Sequence, residues 1–227
     1  MTADLPILAT TNATKAYADL VALHPLTIQV ERGQSVALVG HNGSGKSTFL
    51  ALATGLLELS DGEITVLGEP AGSSPARAAV SYLPDAPVLY DDLSVREHVG
   101  YIAALHGVTL EDADVDELLD RLGLRDRADD LPARFSRGLR QRTAIVLGLV
   151  RPFELLLVDE PFVGLDASGK AALLTILDEL HDDGAALVVA THDPTYVERV
   201  DRCIALRDGV VIHDGRATPD EVIALVG

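Results

Sequence analysis

The 227-residue sequence predicts an α/β fold with a helical insertion. Three observations predict it. Apolar strand-like runs alternate with helical patterns at both ends of the chain. A glycine-rich loop, Gly40 to Ser47, sits between an apolar run and a helical one. From Asp85 to about Phe153 the pattern holds helices and turns but no convincing strand.

Taken in order, "LTIQV" (Leu26 to Val30) and "SVALV" (Ser35 to Val39) read as strands joined by the turn "ERGQ". Lys46 to Leu57 reads as a helix, and "EITVLG" and "AAVSYL" (Ala78 to Leu83) as strands. In the middle stretch, Ser94-Val95-Arg96-Glu97 is a capping-box pattern that opens a helix to about His106. Val115–Leu122 and Ser136–Val150 are further helices. "ELLLVDE" (Glu154 to Glu160) is apolar without alternation, the pattern of a strand buried on both faces. A helix over Ser168–His181 follows, then the strand "ALVVAT" (Ala186 to Thr191) and a short helix near Pro194–Val200. The strands "RCIALR" and "VVIHDG" come next. Thr218-Pro219-Asp220-Glu221 opens a last helix, with Thr as cap and Pro in the first turn.

The net charge of −17 argues against nucleic acid as the main partner, because binding to phosphates depends on Lys and Arg. It argues equally against free docking on an anionic membrane. An acidic surface is also read simply as a solubility habit of the source. One cysteine, Cys203, excludes a disulfide framework within one chain and reads as a small core residue. The N-terminal segment lacks the basic and apolar regions of a secretory signal. No stretch approaches 18 uninterrupted apolar residues, so a membrane role would need another chain to place it there.

Gly40-His41-Asn42-Gly43-Ser44-Gly45-Lys46-Ser47 fits G-x-x-x-x-G-K-[ST], the P-loop or Walker A pattern. Such a loop wraps a β-phosphate, so backbone N–H groups must point inward and side chains must stay clear. Gly43 and Gly45 suit that. Lys46 begins the helix and reaches the β- and γ-phosphates, Ser47 offers its hydroxyl to Mg²⁺, and the helix N-terminus favours the anion. Asp159, ending the buried run, is placed to hold Mg²⁺, and Glu160 to polarise an attacking water as general base.

With these motifs in order, the chain resembles an ATP-binding cassette (ABC) nucleotide-binding subunit over essentially all its length. Gly164-Leu165-Asp166 resembles the D-loop, His192 the switch histidine on the γ-phosphate, and Tyr17 the aromatic that stacks on adenine. His24, His98, His106, His181 and His213 are read as structural or solvated. The resemblance implies a P-loop NTPase core, a RecA-like mixed sheet with flanking helices, plus a small N-terminal antiparallel β part and an inserted helical subdomain. It implies one domain over 1–227, with a core of 1–84 and 154–227 and a helical signature subdomain of 85–153. Gly40, Asn42, Gly43, Ser44, Gly45, Lys46, Ser47 and Thr48 would hold the nucleotide, and Ser47, Asp85 and Asp159 the Mg²⁺. Lys46, Glu160 and His192 would be catalytic.

Two departures stand out. The family signature L-S-G-G-Q reads Phe135-Ser136-Arg137-Gly138-Leu139 here. Ser136 and Gly138 retain what caps the γ-phosphate on an opposite subunit; Arg137 either adds a cation there or weakens closure by its bulk. The run "RGLRQR" reads as a signature helix with solvated arginines rather than an RNA patch. Asp85, in "YLPDAP", stands where the family usually has a glutamine, and is read as a ligand to Mg²⁺ or to the lytic water. An acid there with an S-x-G signature is similar to subunits serving bacterial exporters, and the short segment after the last strand leaves no room for the extra C-terminal domain of many importer subunits.

The resemblance therefore implies an ATPase that powers transport through an integral-membrane subunit. It would work as a dimer with a second ATP-binding subunit, with Asp166, Ser136 and Gly138 also among the nucleotide-binding residues, on the cytoplasmic face of the cell membrane. Rival readings are a soluble cassette ATPase acting on DNA or ribosomes, a GTPase or small-molecule kinase, and a non-hydrolysing regulatory module. A GTPase would carry N-K-x-D, yet Asn12 and Asn42 are the only asparagines.

Overall fold

The computed structural model describes residues 5–226. Their elements run β1 (Leu8–Tyr17), β2 (Leu20–Leu26), β3 (Gln29–Val30), β4 (Ser35–Val39), α1 (Lys46–Ala53), β5 (Asp61–Val66), β6 (Glu69–Pro70), α2 (Ser74–Ala79), β7 (Val80–Leu83), α3 (Val95–Leu105), α4 (Asp112–Arg121), α5 (Arg137–Leu149), β8 (Leu155–Asp159), α6 (Ala167–Asp182), β9 (Ala186–Thr191), β10 (Arg202–Arg207), β11 (Val210–Gly215) and α7 (Pro219–Val226). Short 3₁₀ turns cover Arg125–Arg127, Pro132–Arg134 and Pro194–Arg199.

The chain divides into two compact units. The first comprises the chain through Tyr82, Phe153–Glu160, and everything from Leu180 onward. It contains an antiparallel sheet ordered β2-β1-β5-β6, with β3 also on β1, and a sheet ordered β11-β10-β4-β9-β8-β7. In the larger sheet β10, β4, β9 and β8 run parallel, and β11 is antiparallel to β10. Every residue of β4, β8 and β9 is buried. That is why these strands read as unbroken apolar runs: both faces are buried, so neither side needs polar residues. Leu38, Phe49, Leu157, Val188 and Ile204 meet in this core. Each such side chain contributes about 1.5–3 kcal/mol by leaving water. Cys203 lies fully buried on β10, and burial pushes its thiol up to about 11.

The second unit is Leu83–Pro152 with Pro161–Glu179. Its buried side chains include Val95 and Val99 of α3, Val115 and Leu119 of α4, and Ile145 and Val146 of α5. The capping box at α3 is complete: Ser94 Oγ accepts from Glu97 N, and the Glu97 carboxylate accepts from Ser94 N at 2.7 Å. No element between α3 and α5 is a strand, in line with the sequence pattern.

Several boundaries differ from the sequence pattern. The strand expected from Leu26 is the end of β2 followed by a break, because β1 and β2 form a longer hairpin whose register slips between Ala13 and Ala16. α1 stops at Ala53 rather than Leu57, because Gly55 takes a left-handed φ of +73°. Ala78 and Ala79 end α2 rather than begin β7. α4 begins at Asp112, three residues early, as its acidic first turn faces the positive end of the helix.

Candidate functional site

In the first unit the loop Gly40–Gly45 joins β4 to α1. Gly45, at φ +106°, precedes the first helical residue, Lys46. An L side chain there would be strained, and its Cβ would lie 3.0 Å from Ala22 O. A side chain on Gly40 would collide with Leu206 O and Ser44 Oγ. Gly43, by contrast, faces open space. Ser44 Oγ is buried with no hydrogen-bond partner among the described residues. Asn42 and Ser47 are exposed and Thr48 is half-buried.

Lys46 is only 5% exposed, an unusual place for an ammonium unless it is paired. Its Nζ donates to Gly40 O at 2.7 Å and lies 3.3 Å from Glu160 Oε1. The second of these is an ion pair whose geometry is not that of a hydrogen bond. The other oxygen of Glu160, Oε2, accepts from His192: the ring Nδ1 lies 2.8 Å away and the backbone N 3.3 Å away. One carboxylate thus joins the helix-start lysine to the histidine that follows β9. Glu160 itself has φ +47°, and its N–H donates to Ala190 O at 2.8 Å, which fixes it just beyond β8. A non-glycine residue in that conformation costs about 1–2 kcal/mol, so the strand end over-determines its placement. Asp159, the residue before it, is 3% exposed.

Tyr17 ends β1, half-exposed, with Lys15 Nζ 5.0 Å from its ring centre. Ser136, Gly138, Asp85 and Asp166 belong to the second unit. Ser136 caps α5, its Oγ accepting from Leu139 N at 3.3 Å. Asp166 caps α6: its Oδ1 accepts from Gly169 N at 2.8 Å, Ser168 Oγ at 3.0 Å and the Arg142 guanidinium. These donors, the Gly169 N–H foremost, hold its carboxyl below the usual range. Asp85 Oδ1 faces Arg137 Nη2 at 3.4 Å.

Among the described residues no group of three or more His, Cys, Asp or Glu stands ready to hold a metal ion. Ser47 and Asp159 supply a hydroxyl and a carboxylate, the hard oxygen donors that suit Mg²⁺, an ion that normally takes few protein ligands and completes its shell with phosphates and water.

The ABC transporter family model matches residues 23–163, from the N-terminal hairpin to just past Glu160. The chain belongs to the ABC transporter family. Within that family it is 34% identical over 206 residues to the SkfA peptide export ATP-binding protein SkfE of Bacillus subtilis (strain 168), covering 89% of this chain and 86% of that one. It is 37% identical over 208 residues to an aliphatic sulfonates import ATP-binding protein, SsuB 2, of Burkholderia cenocepacia (strain HI2424), covering 91% of this chain and 73% of that one. A solved ATP binding subunit of an ABC transporter superposes with a TM-score of 0.87 at 32% identity, over 96% of this chain and 98% of that one. The α/β cassette fold and the ATP-binding role within transporters follow from this membership.

Sequence reasoning on this ABC cassette did not find Arg142. It is 14% exposed, donates to Leu122 O at 3.0 Å and to Ser168 Oγ at 3.2 Å, and pairs with Asp166. It lay within a basic run that read as solvated; the i+4 and i+8 recurrence of apolar residues along α5 is the signal that sets Arg142 near the buried side.

Proposed function

We propose that this chain binds ATP with Mg²⁺ and hydrolyses it to drive transport, in the export direction, through a separate integral-membrane subunit. The observation that carries the reading is the Lys46–Glu160–His192 arrangement, in which one buried ammonium and one histidine share a single carboxylate behind a phosphate-wrapping loop. Residues 1–227 act as one ATPase domain, with 85–153 as its helical subdomain.

Tyr17 stacks on the adenine. The N–H groups from Gly40 to Thr48, with Asn42, Gly43, Ser44 and Gly45, line the phosphates, and Lys46 neutralises charge on the β- and γ-oxygens. Ser47 and Asp159 would hold Mg²⁺, which supplies further neutralisation of the phosphates when bound. Glu160 takes a proton from water as its oxygen bonds to the γ-phosphorus. The bond from that phosphorus to the bridging oxygen breaks, and ADP leaves with the bonding electrons. His192 holds the γ-phosphate and keeps Glu160 oriented through the Nδ1 contact. Ser136 and Gly138 of a second ATP-binding subunit cap the same γ-phosphate, Asp166 completes the nucleotide-binding set, and the working unit is a dimer, a homodimer in the simplest case. The membrane subunit places the chain at the cytoplasmic face, and nucleic acid is not a partner of so acidic a surface. The S-x-G signature with an acid at Asp85 favours export.

The test is Glu160→Gln. Hydrolysis is expected to fall by about 10²–10⁴, the usual contribution of a positioned base, while ATP still binds and the protein collects as a dimer. Robust wild-type turnover in that variant would overturn the general-base role. Recovery of a multi-spanning membrane protein in near-equal amount with the ATP-trapped variant would support the transport role; only soluble or ribosomal companions would overturn it.

A further inference from the structure

We infer that Asp85 is a positioning residue for the signature turn, acting through Arg137, and that the two residues work as one charge couple. The inference rests on the dimeric ATPase reading above.

The two positions at which this chain departs from the family pattern meet each other: Asp85 Oδ1 and Arg137 Nη2 are 3.4 Å apart although 52 residues separate them in sequence. The stem of Arg137 lies along the D-loop turn. A Cβ on Gly164 would be 3.1 Å from Arg137 Cγ and 3.2 Å from Cδ, and Gly164 has φ +83°, so glycine suits that place twice over. Gly138 presses on the same turn, where its Cβ would be 2.5 Å from Gly164 O. Arg137 is the first residue of α5 and directly follows Ser136, so fixing its side chain at both stem and head fixes the turn that presents the serine hydroxyl.

The carboxylate gives the exposed guanidinium a fixed direction. An arginine beside Ser136 with no acid near it would present a free cation where, in the dimer, the signature faces a nucleotide. Asp85 draws that cation back over Gly164. A carboxylate already beside a guanidinium is also a poorer candidate for Mg²⁺ than Asp159, so the couple gives Asp85 a different task from the metal role expected of it. The side chains of Arg137 and Asp85 are 65% and 48% exposed, and pairs that open to water add little to global stability. The couple therefore acts on orientation, and salt weakens it.

The experiment uses the full chain carrying Glu160→Gln, so that ATP-driven association is read by light scattering without turnover. Asp85→Asn, Arg137→Gln and the double variant are compared across ATP and Mg²⁺ titrations. Each single change is expected to raise the ATP concentration for half-association by about three- to tenfold, with the double variant no worse than either. The melting temperature and the Mg²⁺ requirement stay unchanged, and Asp85→Glu recovers part of the loss. Unshifted midpoints, additive effects, or a change in Mg²⁺ requirement confined to Asp85→Asn would overturn the couple. Association with unshifted midpoints removes the couple alone. No ATP-driven association at all removes the dimeric reading and the couple with it.

Discussion

In the first unit the strands β4, β8 and β9 are apolar throughout and buried throughout, and the charged groups that matter stand at their ends. The second unit has its own apolar core and adds arginine–carboxylate pairs between segments at or near the surface: Arg96 and Arg125 on Asp116, Arg121 on Glu179 and Arg142 on Asp166. The first unit has surface pairs as well, Arg32–Glu154 and Arg202–Asp214, the second of them between β10 and β11. A centre that must hold Lys46 at 3.3 Å and His192 at 2.8 Å from the two oxygens of Glu160 benefits from rigid packing. The dimeric cycle proposed above would ask segments of the second unit to rearrange, and contacts that water can replace cheaply suit that.

The sharpest way to break this comparison is to hollow the first core. Leu157 is fully buried on β8, and Leu157→Ala is expected to cost about 2–5 kcal/mol in a denaturant titration. A loss below 1 kcal/mol would mean that packing there is not what fixes the site. Next comes Lys46→Ala, which removes the buried ammonium and its stem and leaves the β4, β8 and β9 core untouched. ATP binding measured by calorimetry should weaken about 10- to 100-fold, the worth of a charge-assisted hydrogen bond. Unchanged affinity would remove the phosphate site from this loop.

A smaller effect concerns Asp201, which ties the start of β4 to the end of α6. Its Oδ2 accepts from Ser35 N at 2.9 Å, Ser35 Oγ at 3.0 Å and His181 Nε2 at 3.1 Å. Burial pushes its carboxyl up, but these hydrogen bonds outweigh that and leave it below the usual range. A lowered folded-state pKa stabilises above the unfolded value of about 3.9, and that contribution is lost as pH falls through the folded one. Asp201→Asn should therefore lower the melting temperature at pH 6, and the gap should start to close below about pH 4 and vanish once pH is under the lowered folded-state pKa. The size stays under about 1 kcal/mol because the side chain is 43% exposed. A gap that persists in acid would show that charge is not its cause.

The smallest effect compares the units directly. Raising salt to ~1 M should lower hydrogen-exchange protection in α3 and α4 a few-fold and leave β8 and β9 unchanged. Equal responses would dissolve the contrast.

What the sequence made legible follows the same division. β4, β8 and β9 could be read because burial on both faces writes a continuous apolar run, and β4 and β9 begin and end where the pattern does. The P-loop could be read because phosphate wrapping demands glycines at set spacing. β1 was not legible as a strand: Thr10, Thr11, Asn12 and Thr14 dilute its pattern, Asn12 turns to φ +50°, and register slips spoil the alternation. Pro25 and His24 hide β2 in the same way. In the site, the residue types of Lys46, Glu160 and His192 were legible, but the shared carboxylate was not, because 32 residues lie between Glu160 and His192. Nor was the pairing of Asp85 with Arg137, each of which reads as an oddity until both are seen together.

Cys203 has a practical consequence. At neutral pH a thiol with a pKa of about 11 is only about one part in ten thousand thiolate, and this one is also sealed inside β10. A cysteine introduced at Val88, which is 95% exposed, would have an ordinary thiol with a few per cent thiolate. Maleimide dyes or spin labels should therefore react at the new position hundreds of times faster than at the native one. The chain offers a ready background for single-site spectroscopy, in which a reporter near Asp85 could follow the signature region through nucleotide binding while Cys203 stays in place.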